Sequence, residues 1–497
     1  MLDQFRGQYI GGRFTTSSSG EIFRSVNPAT AADIVFEAQE SPDSVDSAVE
    51  SARSAARRWR RSGLDARIAA LRAVQRMVPA HVDAIAEAIC SEMGKTLAEA
   101  RIEANSIGSK IEGVIGQIHH ELPPAAPGAP GQQRFHPMGV MGIVGPFNFP
   151  IHLLNTHVIP ALLTGNTVVI KPSELTPLCG QRYAELFDDA GFPPGVLNMV
   201  QGGGAIGAEL VGHDGVDGIV FTGSYQTGRR IREATFDQPH KKVSLELGGK
   251  NPAVVLDDAH LDQAVREILL GALLTTGQRC TGTSRVIVTA GVAAELRDRL
   301  TSAFSKIHPA DPSNSETFMG PLASLQSRDR FIHCLEQAKT EGAQVLVECS
   351  AGNDGAWVTP GLYEVDGTES FLEEELFGPH VAFEVATDAD DAFRRAANTP
   401  YGLSAALFSA SEQALEDFYD VVRAGVINFN RSTNGASGLL PFGGTGMSGN
   451  WRAAGSCAPR LSTYPVAFMK ADFGTVTQNP RLESLLDEVD APRPNRF

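Results

Sequence analysis

Gly139-Val140-Met141-Gly142-Ile143-Val144 is a short apolar run that begins at a glycine, and runs of the same kind follow at Thr167–Ile170, Val196–Val200, Gly218–Phe221 and Ala253–Val255. Short apolar stretches separated by segments of helical length are strands of a mostly parallel sheet, because parallel neighbours need a long crossover and the crossover is usually a helix. The fold class is therefore α/β, with a doubly wound sheet. Towards the N-terminus, Val45, Ala48, Val49, Ala52, Ala56 and Trp59 recur at helical spacing, with Ser41 or Asp43 placed to cap that helix. Ile68–Ile89 and Leu97–Ile107 continue the helical layer, and Gln8–Arg13 reads as a hairpin turning at Gly11-Gly12. The stretch from Leu122 to Gly131 is too rich in proline for a helix and reads as a crossing segment. A second alternating region runs from Leu261 to about Gly446. The chain beyond Tyr464 is expected to form a strand, and Pro492–Phe497 to be loose.

A chain of 497 residues exceeds the size at which a single core stops growing, about 250–300 residues, so more than one domain is expected. The net charge of −16 argues against nucleic acid or an anionic membrane as partner, although one buried arginine can still bind an anionic substrate. The N-terminus lacks a basic region followed by an apolar stretch, and no run approaches the ~20 apolar residues that span a bilayer. The six cysteines, Cys90, Cys179, Cys280, Cys334, Cys349 and Cys457, are scattered without zinc spacing. Reduced thiols in a cytoplasmic protein without a bound metal are the reading.

Two stretches satisfy G-x-G-x-x-G, Gly202–Gly207 and Gly444–Gly449, which shows how weak that pattern is. The first follows a strand and keeps Gly204 as a cofactor-binding candidate. The acidic residue that closes the dinucleotide fingerprint about 20 residues later is missing, and Phe221-Thr222-Gly223 stands there instead. A better cofactor site lies in Phe221–Gly228, where a strand ends and a helix starts near Ser224, since exposed N–H groups at a helix start attract phosphate. Ser224 either caps that helix or contacts the phosphate. Lys171 and Glu174 leave the end of a buried strand together and can both hydrogen-bond ribose hydroxyls. Cys280 has a positive neighbour, Arg279, which can lower a thiol pKa. Glu246 stands between two leucines, where desolvation raises a carboxylate towards the range of a general base. Alone, such a cysteine is more often an inert thiol and such a glutamate structural.

Seven segments in order tie these residues together: Pro146-Phe147-Asn148-Phe149-Pro150, Lys171-Pro172-Ser173-Glu174, Phe221-Thr222-Gly223-Ser224, Glu246-Leu247-Gly248-Gly249-Lys250, Gly277-Gln278-Arg279-Cys280, Glu375-Leu376-Phe377-Gly378-Pro379 and Pro441-Phe442-Gly443-Gly444. The ordered set resembles the aldehyde dehydrogenase superfamily over roughly residues 8–470. The resemblance implies that Cys280 is the nucleophile, Glu246 the general base and Asn148 an oxyanion donor. It further implies that Lys171, Glu174, Gly204, Gly223, Ser224, Glu375 and Phe377 hold NAD, with NADP disfavoured by Glu174. The implied subunit has a Rossmann-like cofactor domain (1–121 and 138–247) and a catalytic domain (248–462). A small β arm for oligomerisation (122–137 and 463–497) completes it, and the assembly is a homodimer or homotetramer. Within the superfamily, His152-Leu153-Leu154-Asn155, Pro193–Asn198 and Thr433–Ser437 are similar to the succinylglutamate semialdehyde dehydrogenase subgroup. That similarity implies a carboxylated semialdehyde as substrate, lined by Phe149, Arg279, Thr281, Arg431 and Phe442, with Arg279 or Arg431 forking the carboxylate. A relative that oxidises another aldehyde, and a non-catalytic relative, are the alternatives.

Overall fold

The computed structural model of the chain describes residues 4–17, 19–123, 128, 131–450, 454–475 and 478–490. The opening apolar run forms the central strand Val140–Val144 of a seven-stranded sheet. Thr167–Lys171 and then Leu197–Met199 add in parallel on one side of it. Gly218–Thr222 and then Lys242–Glu246 add in parallel on the other. The hairpin Gln8–Ile10 and Arg13–Thr15 closes the far edge antiparallel. Strand order therefore reverses between Val140–Val144 and Gly218–Thr222. In an open α/β sheet the crevice outside the carboxyl ends at such a reversal binds ligands. Here it opens on Gly145-Pro146-Phe147-Asn148 and on Gly223-Ser224.

The helical layer follows the expected spacing, with one difference at a start and one at an end. Ser44–Arg61 buries Val45, Ala48, Val49, Ala52 and Trp59, and the Trp59 indole donates to the Leu162 carbonyl at 3.0 Å. Neither expected cap serves it. Asp43 sits at the N-cap position in left-handed backbone (φ 61°) with no side-chain cap bond, and the Ser41 hydroxyl turns to the Pro42 carbonyl. The third helix runs from Leu97 on to Glu121 rather than stopping near Ile107. Ile111 and Ile118 prolong its buried stripe, while the intervening glycines Gly108, Gly113 and Gly116 blur the pattern in the sequence. The strand expected at Ala253–Val255 forms as Asn251–Val255 but belongs to a second sheet.

That second seven-stranded sheet runs in the spatial order 344–347, 361–364, 380–386, 283–289, 251–255, 404–408 and 426–429, parallel except for its first strand. Two adjacent central strands are pinned by an ion pair inside the core. Arg285 meets Glu384 through two parallel hydrogen bonds of 2.8 and 3.0 Å, with both side chains almost fully buried. The first of these strands follows the turn that carries Cys280, and the second follows the segment that carries Glu375 and Phe377, so the pair fixes their relative height. Both sheets lie in one compact unit, residues 1–122 with 137–464. Residues 123–136 with 465–497 form a separate unit. In it the strands Gln132–Pro137 and Thr463–Phe468 pair, Arg134 sits 3.7 Å over the Phe468 ring, and a helix covers Pro480–Asp490. Most of the expected crossing segment, and the tail Pro492–Phe497, lie outside the described residues.

Removing one partner of a buried pair strands the other charge, at a cost of about 3–5 kcal/mol. Arg285→Met is therefore expected to lower the urea midpoint markedly, and the double change Arg285→Met with Glu384→Leu to recover most of the loss. A midpoint unmoved by the single change would mean that the pair does not hold the sheet.

Candidate active site

The site is assembled around the six residues that cross from the first sheet to the second. Glu246 ends its strand buried beside Thr222, and its carbonyl accepts from the Gly223 N–H at 3.0 Å. Leu247 N–H donates to the Ser448 carbonyl at 3.0 Å. The next two positions must be glycine, because a Cβ on Gly248 would lie 2.1 Å from Glu375 Oε2 and one on Gly249 would lie 2.5 Å from the Cys280 carbonyl oxygen. Gly249 N–H donates to Glu375 Oε1 at 3.0 Å. Asn251 opens the new strand, and its Nδ2 donates to the carbonyls of Cys280 (2.8 Å) and Gly282 (3.0 Å), while its Oδ1 accepts from Ser404 N–H. One crossing thus carries Glu246, receives Glu375 and clamps the Cys280 turn.

Cys280 follows a short turn in which Thr275 and Thr276 both hold left-handed backbone, φ 57° and 55°. Each such residue costs of order 1–3 kcal/mol and persists only where its surroundings hold it. Here Glu99 accepts from Thr275 N–H and Oγ1 at 3.2 and 2.8 Å, and Thr276 Oγ1 donates to the Gly320 carbonyl at 3.0 Å. The Asn148 amide donates to the Gln278 carbonyl at 2.9 Å, which fixes Nδ2 beside the same turn with its second proton still to give. Burial pushes the Cys280 thiol up to about 12, and the carboxylates of Glu375 and Glu246 add to the effect. This overturns the expectation that Arg279 acidifies its neighbour. The Arg279 guanidinium turns away to Glu99 at 2.8 Å and to Thr275 Oγ1 at 2.9 Å.

A cleft of about 720 Å³ opens at the strand-order reversal and reaches Cys280. Its walls bring together Asn148, Glu246 and Cys280 with Lys171, Glu174, Gly204, Gly223, Ser224, Glu375 and Phe377. Lys171 is buried at the end of its strand and donates to Glu174 Oε2 at 2.9 Å. Desolvation works the other way, yet Lys171 holds the Glu174 carboxyl below its ordinary range. Gly204 starts the helix Gly204–Gly212. Ser224 takes the capping alternative: its Oγ accepts from Thr227 N–H at 3.3 Å at the head of Tyr225–Ala234. Burial raises Glu375 to about 7, partly offset by the Gly249 N–H. Phe377 holds left-handed backbone (φ 58°), and its ring meets Phe147 edge-on at 5.8 Å. These groups fit a dinucleotide, with ribose acceptors at one end, two helix starts along the wall and, at the thiol end, two carboxylates that suit a cationic ring.

The five substrate-lining candidates fare differently, since none of them lines this cleft. Phe149 lies between cations, 3.6 Å from Lys95 Nζ and 5.2 Å from the Arg279 guanidinium. Arg279 is already paired. Thr281 is buried and spends its hydroxyl on Asn434 Oδ1 at 2.8 Å. Arg431 is exposed. Phe442 is half-buried in a two-residue strand paired with Ala454–Gly455. Sequence reasoning missed Asn251 and Glu99. A polar residue opening a buried strand was the available signal for Asn251. Glu99 reads only as the partner of Thr96 at a helix start, because Thr275 and Arg279, which it also holds, lie 176 and 180 residues away in the chain.

Comparison with known proteins accords with this geometry. Residues 14–463 match the aldehyde dehydrogenase family. N-succinylglutamate 5-semialdehyde dehydrogenase of Burkholderia thailandensis is 38% identical, over 93% of this chain and 96% of the relative. The protein of the same name from Burkholderia mallei is 37% identical, over 91% and 94%. Among solved structures, betaine aldehyde dehydrogenase from Staphylococcus aureus in complex with NAD+ superposes with a TM-score of 0.89 at 27% identity, over 96% of this chain and 97% of that one. Lactaldehyde dehydrogenase from Escherichia coli gives 0.88 at 29% identity, over 93% and 99%.

The electrostatics of the thiol can be read by alkylation of the cofactor-free protein. Negative neighbours raise a thiol pKa, so removing one must lower it and increase the thiolate fraction at a given pH. Glu375→Gln is expected to speed iodoacetamide labelling of Cys280 at pH 8 by about threefold to tenfold, one pKa unit being tenfold. Site-resolved mass spectrometry measures it, and an unchanged rate would mean that burial alone sets the thiol.

Proposed function

The chain belongs to the aldehyde dehydrogenase family, and on that premise we propose that Cys280, Glu246 and Asn148 oxidise a carboxylated semialdehyde to its acid, N-succinylglutamate 5-semialdehyde being the specific substrate. That the protein is an oxidoreductase acting on aldehydes follows from the family and its relatives, and NAD rather than NADP is part of the proposal. The roles of individual residues rest on one observation: nucleophile, base, oxyanion donor and ribose-binding pair line a single cleft. Cys280 gives its thiol proton to Glu246, which passes it to solvent, as Sγ adds to the aldehyde carbon, and the negative oxygen that forms takes hydrogen bonds from Asn148 Nδ2 and the Cys280 N–H. Preorganised donors of this kind contribute about 3–4 kcal/mol each. Lys171, Glu174 and Glu375 would hold the nicotinamide dinucleotide, which when bound would supply the acceptor for the hydride of that carbon. The acyl group then remains on Cys280 as a thioester. Glu246 draws a proton from water, the water oxygen attacks the thioester, and the acid departs as the thiol is restored.

In the same reading, residues 1–121 and 138–247 bind the cofactor, 248–462 carry the chemistry, and 122–137 with 463–497 form the arm of a homodimer or homotetramer. The cytoplasm suits six cysteines that are all free thiols. The substrate assignment is supported by the name of the curated relatives.

Three measurements test this. Glu246→Gln is expected to keep a rapid first-turnover burst of reduced cofactor while steady-state turnover falls by about 10²-fold or more, as loss of a general base does. An unchanged steady state would remove Glu246 from the role. Wild type is expected to favour NAD over NADP in kcat/KM by about tenfold or more, since an ionised Glu174 repels a 2′-phosphate, and Glu174→Gln to narrow that ratio. Equal constants for the two cofactors would count against the ribose assignment. Across a panel of succinylglutamate semialdehyde, succinate semialdehyde, glutamate semialdehyde and aliphatic aldehydes, the succinylated compound should give the highest kcat/KM. A preference for uncharged aldehydes would discard the substrate and keep the chemistry.

A further inference from the structure

Beyond the cofactor cleft, a cluster of charged groups packs around Phe149, the chain neighbour of Asn148. Lys95 Nζ meets Glu103 Oε2 at 2.5 Å, both fully buried, and Arg279 meets Glu99 at 2.8 Å. Glu103 also accepts the N–H groups of Ile151 and His152 at 3.0 Å each. These two pairs cancel. His152 adds no charge: burial, then Lys110, Lys95, Arg279 and His157, hold it well below the ordinary imidazole range. Its Nδ1 lies 3.2 Å from Ser106 Oγ, whose own proton goes to the Glu103 carbonyl. Lys110 is left over. Its ammonium rests on Thr156 Oγ1, and among the described residues it has no carboxylate at ion-pair distance.

Lys110 is half-buried, as are Phe149 and His152, whose rings lie 5.9 Å apart. Its helix continues against the segment that leads to Phe442: Gln117 Nε2 donates to the Leu439 carbonyl at 3.0 Å. Cys280 and Asn148 thus face the cofactor cleft, while Phe149 and Arg279, next to them in the chain, face the cluster that holds Lys110. The charge of Arg279 is spent on Glu99.

We propose that Lys110 receives the carboxylate of the substrate and sets the preference of this enzyme for anionic aldehydes. The assignment rests on the reading of the substrate as a carboxylated semialdehyde. Burial pushes the Lys110 ammonium down to about 7, partly opposed by Glu103, so an arriving anion restores the charge that the site disfavours.

The test compares wild type, Lys110→Gln and Lys110→Arg on succinylglutamate semialdehyde and on hexanal, with NAD throughout. Lys110→Gln is expected to raise KM for the anionic aldehyde by about tenfold or more, the loss of one charged hydrogen bond. Its kcat and KM for hexanal should stay within about twofold, and Lys110→Arg should retain the anionic preference. If Lys110→Gln does not fold, Lys110→Met, which keeps the buried stem, takes its place. A wild type that prefers anionic aldehydes, with a ratio unchanged in the variants, overturns the Lys110 assignment alone. A wild type indifferent to charge overturns the substrate reading and this assignment with it.

Discussion

The chain passes from one seven-stranded sheet to the other through Leu247-Gly248-Gly249-Lys250, and the site depends on how tightly that passage is packed. The Glu375 carboxylate occupies the space a side chain on Gly248 would need, and the Cys280 carbonyl occupies that of Gly249. Because close packing leaves no slack, a shift of the crossing moves the base, the nucleophile and Glu375 together. Asn251 completes the arrangement by holding two carbonyls of the Cys280 turn from the first residue of the next strand.

Around this crossing the protein places charges where burial is unfavourable and then compensates them. Arg285 and Glu384 satisfy each other across two strands. Glu99 answers both the strained threonine turn and Arg279, so the residue beside the nucleophile is structural in its charge. At the thiol the compensation is withheld: burial first, and then the carboxylates of Glu375 and Glu246, raise Cys280. Lys110, by contrast, rests on Thr156 Oγ1 with no carboxylate at ion-pair distance among the described residues.

Much of this was legible before any coordinates. The apolar runs located four strands of the first sheet to within a residue, because a strand buried on both faces has little freedom in composition. They did not include Lys242–Glu246, whose first two residues are only half-buried. The ordered segments singled out nine site candidates that line the cleft, and the glycine pattern added Gly204. What failed did so for identifiable reasons. Asp43 stands where a cap belongs, but its backbone turns left-handed and its side chain makes no cap bond. Ala253–Val255 reads like the strands before it, and nothing in its composition says that it starts a new sheet.

The sequence by itself determined the α/β class and the family, and it marked Cys280 and Glu246 as the pair proposed for nucleophile and base. Those follow from local patterns whose order along the chain is informative. Only the tertiary structure decided which charges are free. Arg279 looked like a thiol activator and a carboxylate fork until Glu99, 180 residues away, was seen to hold it. Lys110 looked like any lysine on a helix until, among the described residues, it proved to have no carboxylate at ion-pair distance. Electrostatics depends on distance and burial, and neither is written in the spacing of residues along a chain.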